Sequence, residues 1–198
     1  KIDEALYQLA LQKGVIVFTN TKVNNVLFEN DHHIIQTNKE NFSAKVIAGS
    51  YGKRSNLDIK WKRTFTEQKP GKLNNYIGIK YHVRSKYAKD EIALHNFKNG
   101  YCGISAIEDD KYCVCYLTVA DNLIKNNNSV EQMQENILYK NPALEKIFTE
   151  SEFLYDEPLT ISQISFNKKT QTENHILMLG DAAGMITPLC GNGMSMAM

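Results

Sequence analysis

The hydrophobic positions at the start of the chain repeat with a helical period. Ile2, Leu6 and Leu9 share one stripe, which predicts an amphipathic helix that is already under way at the first residues. Gly14 follows the last periodic position, where a glycine commonly ends a helix. The next residues, 15–18, form a short continuous apolar run, and this pattern predicts a buried strand of a parallel sheet.

From residue 22 to residue 48 the pattern changes to short alternating segments separated by polar turn residues. This pattern predicts a small antiparallel meander with strands at 22–29, 33–37 and 42–48. The glycines of residues 49–52 interrupt it, and a short helix is expected after Ser55.

The middle of the chain predicts a larger antiparallel sheet. From residue 73 the period is two, with Ile77, Ile79 and Val83 on one face and Lys80 and His82 on the other. The turn residues that follow each segment are those of tight hairpins. Further strands are predicted at 91–97, 101–108 and 111–119.

Two short helices and a return to strand are expected after this sheet. Ser129 with Gln132 resembles a capping box, and Pro142 suits the first position of a second helix. Strands are predicted at 153–166 and at 175–179, and the glycine at 193 opens a final helical segment.

Composition and charge exclude several classes of protein. The 198 residues are 42% hydrophobic and 23% charged, which is typical of one ordinary globular domain or slightly more. A net charge of +1 and three arginines argue against a nucleic-acid partner. The apolar runs are far shorter than the roughly 20 residues of a membrane-spanning helix, so no transmembrane segment is expected.

Four cysteines in a chain of this length do not predict a disulfide scaffold, and a reducing cytoplasm is the expected location. Cys113 and Cys115 would share one face of a strand, where a metal or redox pair is one interpretation. Small buried hydrophobic residues are the simpler interpretation, because no second Cys/His pair has zinc-site spacing; we therefore predict no metal.

The most informative segment joins the last predicted strand to the final helix. It contains Gly180-Asp-Ala-Ala-Gly184, then Pro188, then Gly191-Asn-Gly193. Ligands of open α/β sheets bind at the carboxyl ends of strands, where the carboxylate of Asp181 could accept hydrogen bonds from ligand hydroxyls. The helix start offers backbone N–H groups that suit an anion. The alternative is a tight strand-to-helix turn with an aspartate cap.

This segment resembles the second FAD-contacting motif of the flavoprotein oxidoreductases related to aromatic hydroxylases and geranylgeranyl reductases. The resemblance implies that Asp181 binds the ribityl chain of FAD and that Pro188 lies beside the isoalloxazine ring. It also implies that the amides of 191–193 face the pyrimidine side of the ring. The cofactor-binding residues implied in this way are Gly180, Asp181, Ala182, Pro188, Gly191, Asn192, Gly193 and Met194.

A second, weaker resemblance covers residues 45–57, which look like the strand and turn of that family that end in Asp-Gly-x-x-Ser. Gly52 and Ser55 match, but Tyr51 stands where the aspartate is usual, which puts a pyrophosphate or NAD(P)H role at this turn in doubt. None of the eleven glycines forms the family's Gly-x-Gly-x-x-Gly motif, which binds the ADP pyrophosphate. We therefore expect a missing N-terminal segment of the same protein to carry it, and the chain alone to bind FAD poorly.

The resemblance implies an α/β (mixed α+β) fold in three parts. Residues 1–57 and 167–198 would belong to a partial doubly wound FAD-binding domain, and residues 58–166 would form an antiparallel β-sheet substrate domain with helices. The implied activity is flavin-mediated reduction, dehydrogenation or monooxygenation of a small, hydrophobic substrate, with NAD(P)H as one candidate electron donor.

No catalytic residue can be named from the sequence. Tyr81, His82 and His95 lie on predicted strands, where such side chains usually pack or face solvent, and Cys102 is expected to fill space. The Trp-x-Trp-x-Ile-Pro string of flavin halogenases is absent, since Trp61 is the single tryptophan. The alternative to an enzyme is a binding or structural domain whose glycine-rich turn holds no cofactor.

Overall fold

The computed structural model describes residues 2–69, 71, 75–188 and 193–197. Its helices are α1 (Ile2–Gln12), α2 (Asn56–Lys60), α3 (Thr64–Glu67), α4 (Ala120–Ile124), α5 (Val130–Met133), α6 (Pro142–Glu150) and α7 (Gly193–Ala197). A π-helical turn covers Gln134–Leu138, and a 3₁₀ turn covers Gly180–Ala182. The strands are β1 (Val23–Glu29), β2 (His32–Thr37), β3 (Asn41–Ala44), β4 (Ala48–Gly49), β5 (Tyr76–Arg84), β6 (Ile92–Phe97), β7 (Gly100–Ala106), β8 (Tyr112–Val119), β9 (Glu152–Phe153), β10 (Leu159–Ile164), β11 (Thr172–Glu173) and β12 (Ile176–Met178).

The first helix forms as its periodicity predicts. Gly14 has a φ of +80°, the left-handed conformation that favours glycine after a helix, and its N–H donates to the Leu11 carbonyl. No residue of α1 is buried, however, and the side chains of its apolar stripe are exposed. The amphipathic pattern is therefore present without a packing partner among the described residues.

The prediction of a buried strand at 15–18 is wrong for this chain. These residues form no strand, and all four side chains are exposed, with Ile16 exposed by 77%. A parallel strand needs neighbours on which to form hydrogen bonds and bury both faces, and no described segment of the chain pairs with this run.

The predicted meander forms a three-stranded antiparallel sheet in the order β1-β2-β3, but its third strand ends at Ala44 rather than at residue 48, and residues 48–49 pair in another sheet. Asn30 and Asp31 form the turn between its first two strands, with φ values of 49° and 59°. Asparagine and aspartate tolerate this left-handed conformation, which a two-residue hairpin loop of type I′ requires at both of its positions.

A small sheet brings together two segments that are far apart in the chain. β12 lies between β11 and β4, and it runs parallel to β4 with Leu177 opposite Ala48 and Met178 opposite Gly49. Because the two strands are parallel, the residues that follow β4 and those that follow β12 leave the sheet at the same edge.

The predicted large sheet is confirmed, with the order β10-β5-β8-β7-β6 and β9 paired to β5. The next strand in the chain after β5 is β6, but β5 pairs with β8 and β10, and β6 lies at the edge of the sheet beside β7, so chain order and spatial order differ. Ile77, Ile79 and Val83 share the face that packs against α5, the π-helical turn and α6, as their alternation predicts. Lys80 and His82 lie on the other face, where they line a pocket together with residues 155–157.

Gly100 at the start of β7 is a place where a side chain cannot be added. A Cβ there would meet the Leu117 carbonyl oxygen and would lie 2.5 Å from Cζ of Phe97, far inside van der Waals contact. Gly100→Ala is therefore expected to lower the free energy of unfolding by about 1–3 kcal/mol. Gly103→Ala is the matched control on the same strand, because its nearest neighbour is a flexible Leu94 methyl at 3.3 Å. Equal urea midpoints for the two variants would contradict this account.

Candidate functional site

The shared edge of β4 and β12 opens into a cavity of about 1040 Å³. Ser50 and Gly52, which follow β4, form one side of it, and Gly180 and Asp181, which follow β12, form the other. This is the place where an α/β sheet binds its ligand, at the carboxyl ends of neighbouring parallel strands.

Asp181 points to open space rather than into the protein. It lies in the 3₁₀ turn that begins at Gly180, whose φ of +55° lets the chain turn sharply after β12. The Asp181 side chain is exposed and lines the cavity. A carboxylate in this position is free to accept hydrogen bonds from hydroxyl groups of a bound molecule.

Two of the other predicted cofactor residues line this cavity, whereas the side chain of a third is buried in the core. Pro188 and Gly193 line the same cavity. Ala182, in contrast, is fully buried in the core beneath the small sheet, so its side chain packs inside the protein. Gly191, Asn192 and the side chain of Met194 lie outside the described residues, and their predicted roles stay predictions.

A buried ion pair lies directly behind this turn. Arg63 and Asp58 are 2% and 0% exposed, and Nη1 of Arg63 lies 2.8 Å from Oδ1 of Asp58. The same guanidinium donates to the carbonyl oxygens of Ala182 (3.1 Å) and Thr170 (2.8 Å). Arg63 thus connects the helical segment after Ser55 with the backbone of the Asp181 turn.

Tyr51, the residue that departs from the family pattern, belongs to this network. Its hydroxyl donates to Oδ1 of Asp58 at 2.8 Å, and it accepts a hydrogen bond from Arg63. Burial raises the pKa of Tyr51, and the neighbouring Asp58 carboxylate raises it further, so the phenol stays protonated at neutral pH. The Tyr51 hydroxyl is therefore a neutral member of the hydrogen-bond network at this turn.

A second buried cation, Lys169, contacts both sides of the cavity. Its Nζ donates to the carbonyl oxygens of Asp181 (2.7 Å) and Lys53 (2.8 Å), and it lies 4.3 Å from the centre of the Phe65 ring. The side chain is 6% exposed, and burial lowers the pKa of Lys169, while the charge of Asp58 acts in the opposite direction.

Reasoning from the sequence missed Asp58, Arg63 and Lys169, because each lies in a stretch whose composition is polar. A local pattern could have found Asp58: Ser55 and Asp58 form a capping box, in which the Ser55 N–H donates to Oδ2 of Asp58 at 2.7 Å. No local pattern distinguishes Lys169 from its neighbour Lys168, which is exposed.

The candidate side chains of the large sheet lie elsewhere. The Tyr81 hydroxyl accepts a hydrogen bond from Gln134 at 2.8 Å, on the face covered by helices. Cys102 is fully buried in the same core, and this burial raises the pKa of its thiol, as expected of a space-filling residue. None of the described residues Tyr81, His82, His95 and Cys102 lines the Asp181 cavity.

In the described ranges, no group of three or more His, Cys, Asp and Glu side chains is arranged to hold a metal ion, so Cys113 and Cys115 have no further ligands there. Within the same ranges, none of the helices has the length and apolarity to cross a bilayer.

Solved structures share this fold, although no protein-family model and no curated protein matches the sequence. The chain matches CmlS, a flavin-dependent halogenase, with a TM-score of 0.78 and 17% identity over 99% of this chain and 37% of that chain. It matches a flavoprotein/dehydrogenase from Cytophaga hutchinsonii with a TM-score of 0.74 and 17% identity over 98% and 49% of the two chains. It matches halogenase PltM in complex with phloroglucinol and FAD with a TM-score of 0.75 and 15% identity over 99% and 43%.

These likenesses establish the fold. At 15–17% identity they concern the path of the backbone, and the chain spans less than half the length of these three neighbours. The expected α/β class with a large antiparallel sheet is confirmed, and the chain shares its fold with part of each of these three neighbours.

Proposed function

We propose that this chain forms one side of the FAD site of a flavin-dependent oxidoreductase. The observation that carries the proposal is the exposed carboxylate of Asp181. It lies where the carboxyl ends of the parallel strands β4 and β12 meet, and it lines a cavity of about 1040 Å³. The Gly-Asp-Ala-Ala, Pro188 and Gly-x-Gly series around it supports FAD as the ligand, as do the flavoenzymes that share the fold.

The residues present fit part of this cofactor. Asp181 would accept hydrogen bonds from the ribityl hydroxyls, and Gly180, Pro188 and Gly193 would face the rest of the flavin half. The absence of a side chain at Gly52 and Gly180 lets a ligand approach the backbone there. When bound, FAD supplies the electron-transfer chemistry, while the protein binds and orients it.

The rest of the site would come from another segment of the same polypeptide, one that carries the pyrophosphate-binding glycine motif. The exposed apolar side chains of α1 and of residues 15–18 support this proposal, because such a surface is normally covered. A small-molecule substrate would bind on the face of the large sheet that carries Lys80, where Leu94 and Ile161 are exposed. Reduction, dehydrogenation and monooxygenation are the reactions proposed, with NAD(P)H as a candidate electron donor.

The full-length protein that contains this chain tests the proposal. Purified without added cofactor, it should show flavin absorption bands, and heat denaturation should release FAD in an amount comparable to the protein. A colourless protein that also takes up no added FAD would contradict the proposal and favour a binding or structural domain without a cofactor. This measurement of the flavin content can be made without knowing the substrate.

A further inference from the structure

Lys169 makes contacts that no other described side chain near the cavity makes. Its ammonium group donates to the carbonyl of Lys53, on the side formed after β4, and to the carbonyl of Asp181, on the side formed after β12. One buried charge thereby spans the two sides, in addition to the two parallel residue pairs of β4 and β12 and to Arg63, which donates to the Tyr51 hydroxyl and to the Ala182 carbonyl. Lys169 differs from the other links in donating directly to the backbone of both sides.

The charge of Lys169 is not matched by a carboxylate at ion-pair distance. Arg63 has Asp58 at 2.8 Å and Glu173 at 3.5 Å, whereas in the described part of the chain Lys169 has two carbonyl oxygens and the Phe65 ring. Burying a cation without an ion pair costs stability, and carbonyl dipoles and a ring face offset that cost only in part. The carboxylates of Asp58 and Asp181 act on this charge through space, from beyond ion-pair distance.

We propose that Lys169 is a positioning residue for the cofactor site: it helps to hold the two sides of the Asp181 cavity at a fixed separation and places behind it a positive charge that forms no ion pair with any described residue. The inference rests on the proposed function. Reduced FAD carries more negative charge than oxidised FAD at neutral pH, so this charge stabilises the reduced form more than the oxidised form.

The inference predicts two measurable effects of Lys169→Met in the full-length protein. Loss of the two hydrogen bonds that the ammonium group donates to carbonyl oxygens weakens the binding of oxidised FAD by about tenfold. Loss of the charge weakens the binding of reduced FAD further, so the midpoint potential of the bound flavin becomes more negative. Lys60→Met is the matched control: it removes one exposed lysine of α2, and both quantities should stay at their wild-type values.

A second variant keeps the inference testable if Lys169→Met does not fold. Lys169→Gln is neutral but retains two N–H donors for the two carbonyls, so the flavin potential should fall while the protein stays folded. A variant of Lys169 with wild-type affinity and potential would overturn the inference, and so would one with weaker affinity and an unchanged potential, which is what loosened packing alone produces. A wild-type protein that binds no FAD would instead refute the proposed function.

Discussion

Replacing Asp181 with alanine in the full-length protein is expected to weaken FAD binding by about 10–100-fold, the loss that follows from removing hydrogen bonds to a charged acceptor. The carboxylate is exposed at the cavity, so the substitution removes a ligand contact without creating a cavity in the core. Equilibrium titration of the apoprotein with FAD measures the effect.

Two further variants distinguish the effect of removing any exposed carboxylate from the effect of removing the charge at position 181. Asp90→Ala removes an exposed carboxylate from a loop of the large sheet and should leave FAD affinity within twofold of wild type, about the scatter of such surface changes. Asp181→Asn keeps the shape and one acceptor oxygen, so its affinity should lie between those of wild type and Asp181→Ala. Unchanged flavin content in Asp181→Ala would count against the role assigned to this residue.

The second large effect concerns stability. Arg63→Met should lower the free energy of unfolding by about 3–5 kcal/mol, because it leaves the fully buried Asp58 carboxylate without its counter-charge. It also removes the donors that hold the carbonyls of Thr170 and Ala182. Chemical denaturation followed by circular dichroism measures the loss.

Two comparisons test that explanation. Arg84→Met breaks an ion pair with Glu152 in which both side chains are more than half exposed, and its expected cost is below about 1 kcal/mol. The double variant Arg63→Met with Asp58→Asn should be less destabilised than the sum of its single variants, since it leaves no unpaired charge. Equal costs for Arg63→Met and Arg84→Met would mean that burial does not govern the interaction.

Local patterns predicted most elements of the fold. Three examples depend only on residues that are close together in the sequence. They are the helical stripe of α1, the turn at Asn30 and Asp31, and the alternation along β5. The segment from Gly180 to Gly193 was also predictable as a candidate site, because the whole string of glycines, carboxylate and proline follows an apolar strand, where α/β folds bind ligands.

Pairing between distant segments was not predictable in this way. No sequence pattern within either strand indicates that β5 pairs with β8. The same is true of β4 and β12, which lie side by side and bring Gly52 and Asp181 to the same cavity. The apolar run at 15–18 shows most clearly where prediction from local patterns fails. Its composition suits a buried strand, yet a strand forms only where a neighbouring strand supplies hydrogen bonds.

The amino-acid sequence by itself determined the class of the fold, the strand-and-turn plan, and the carboxylate on which the cofactor proposal depends. Only the tertiary structure decided that Arg63 and Lys169, two polar residues in polar stretches, are buried beside that carboxylate's turn. The reason is physical: periodicity reports which face of one element is apolar, whereas the burial of a charge depends on carbonyls and carboxylates contributed by segments far away in the chain.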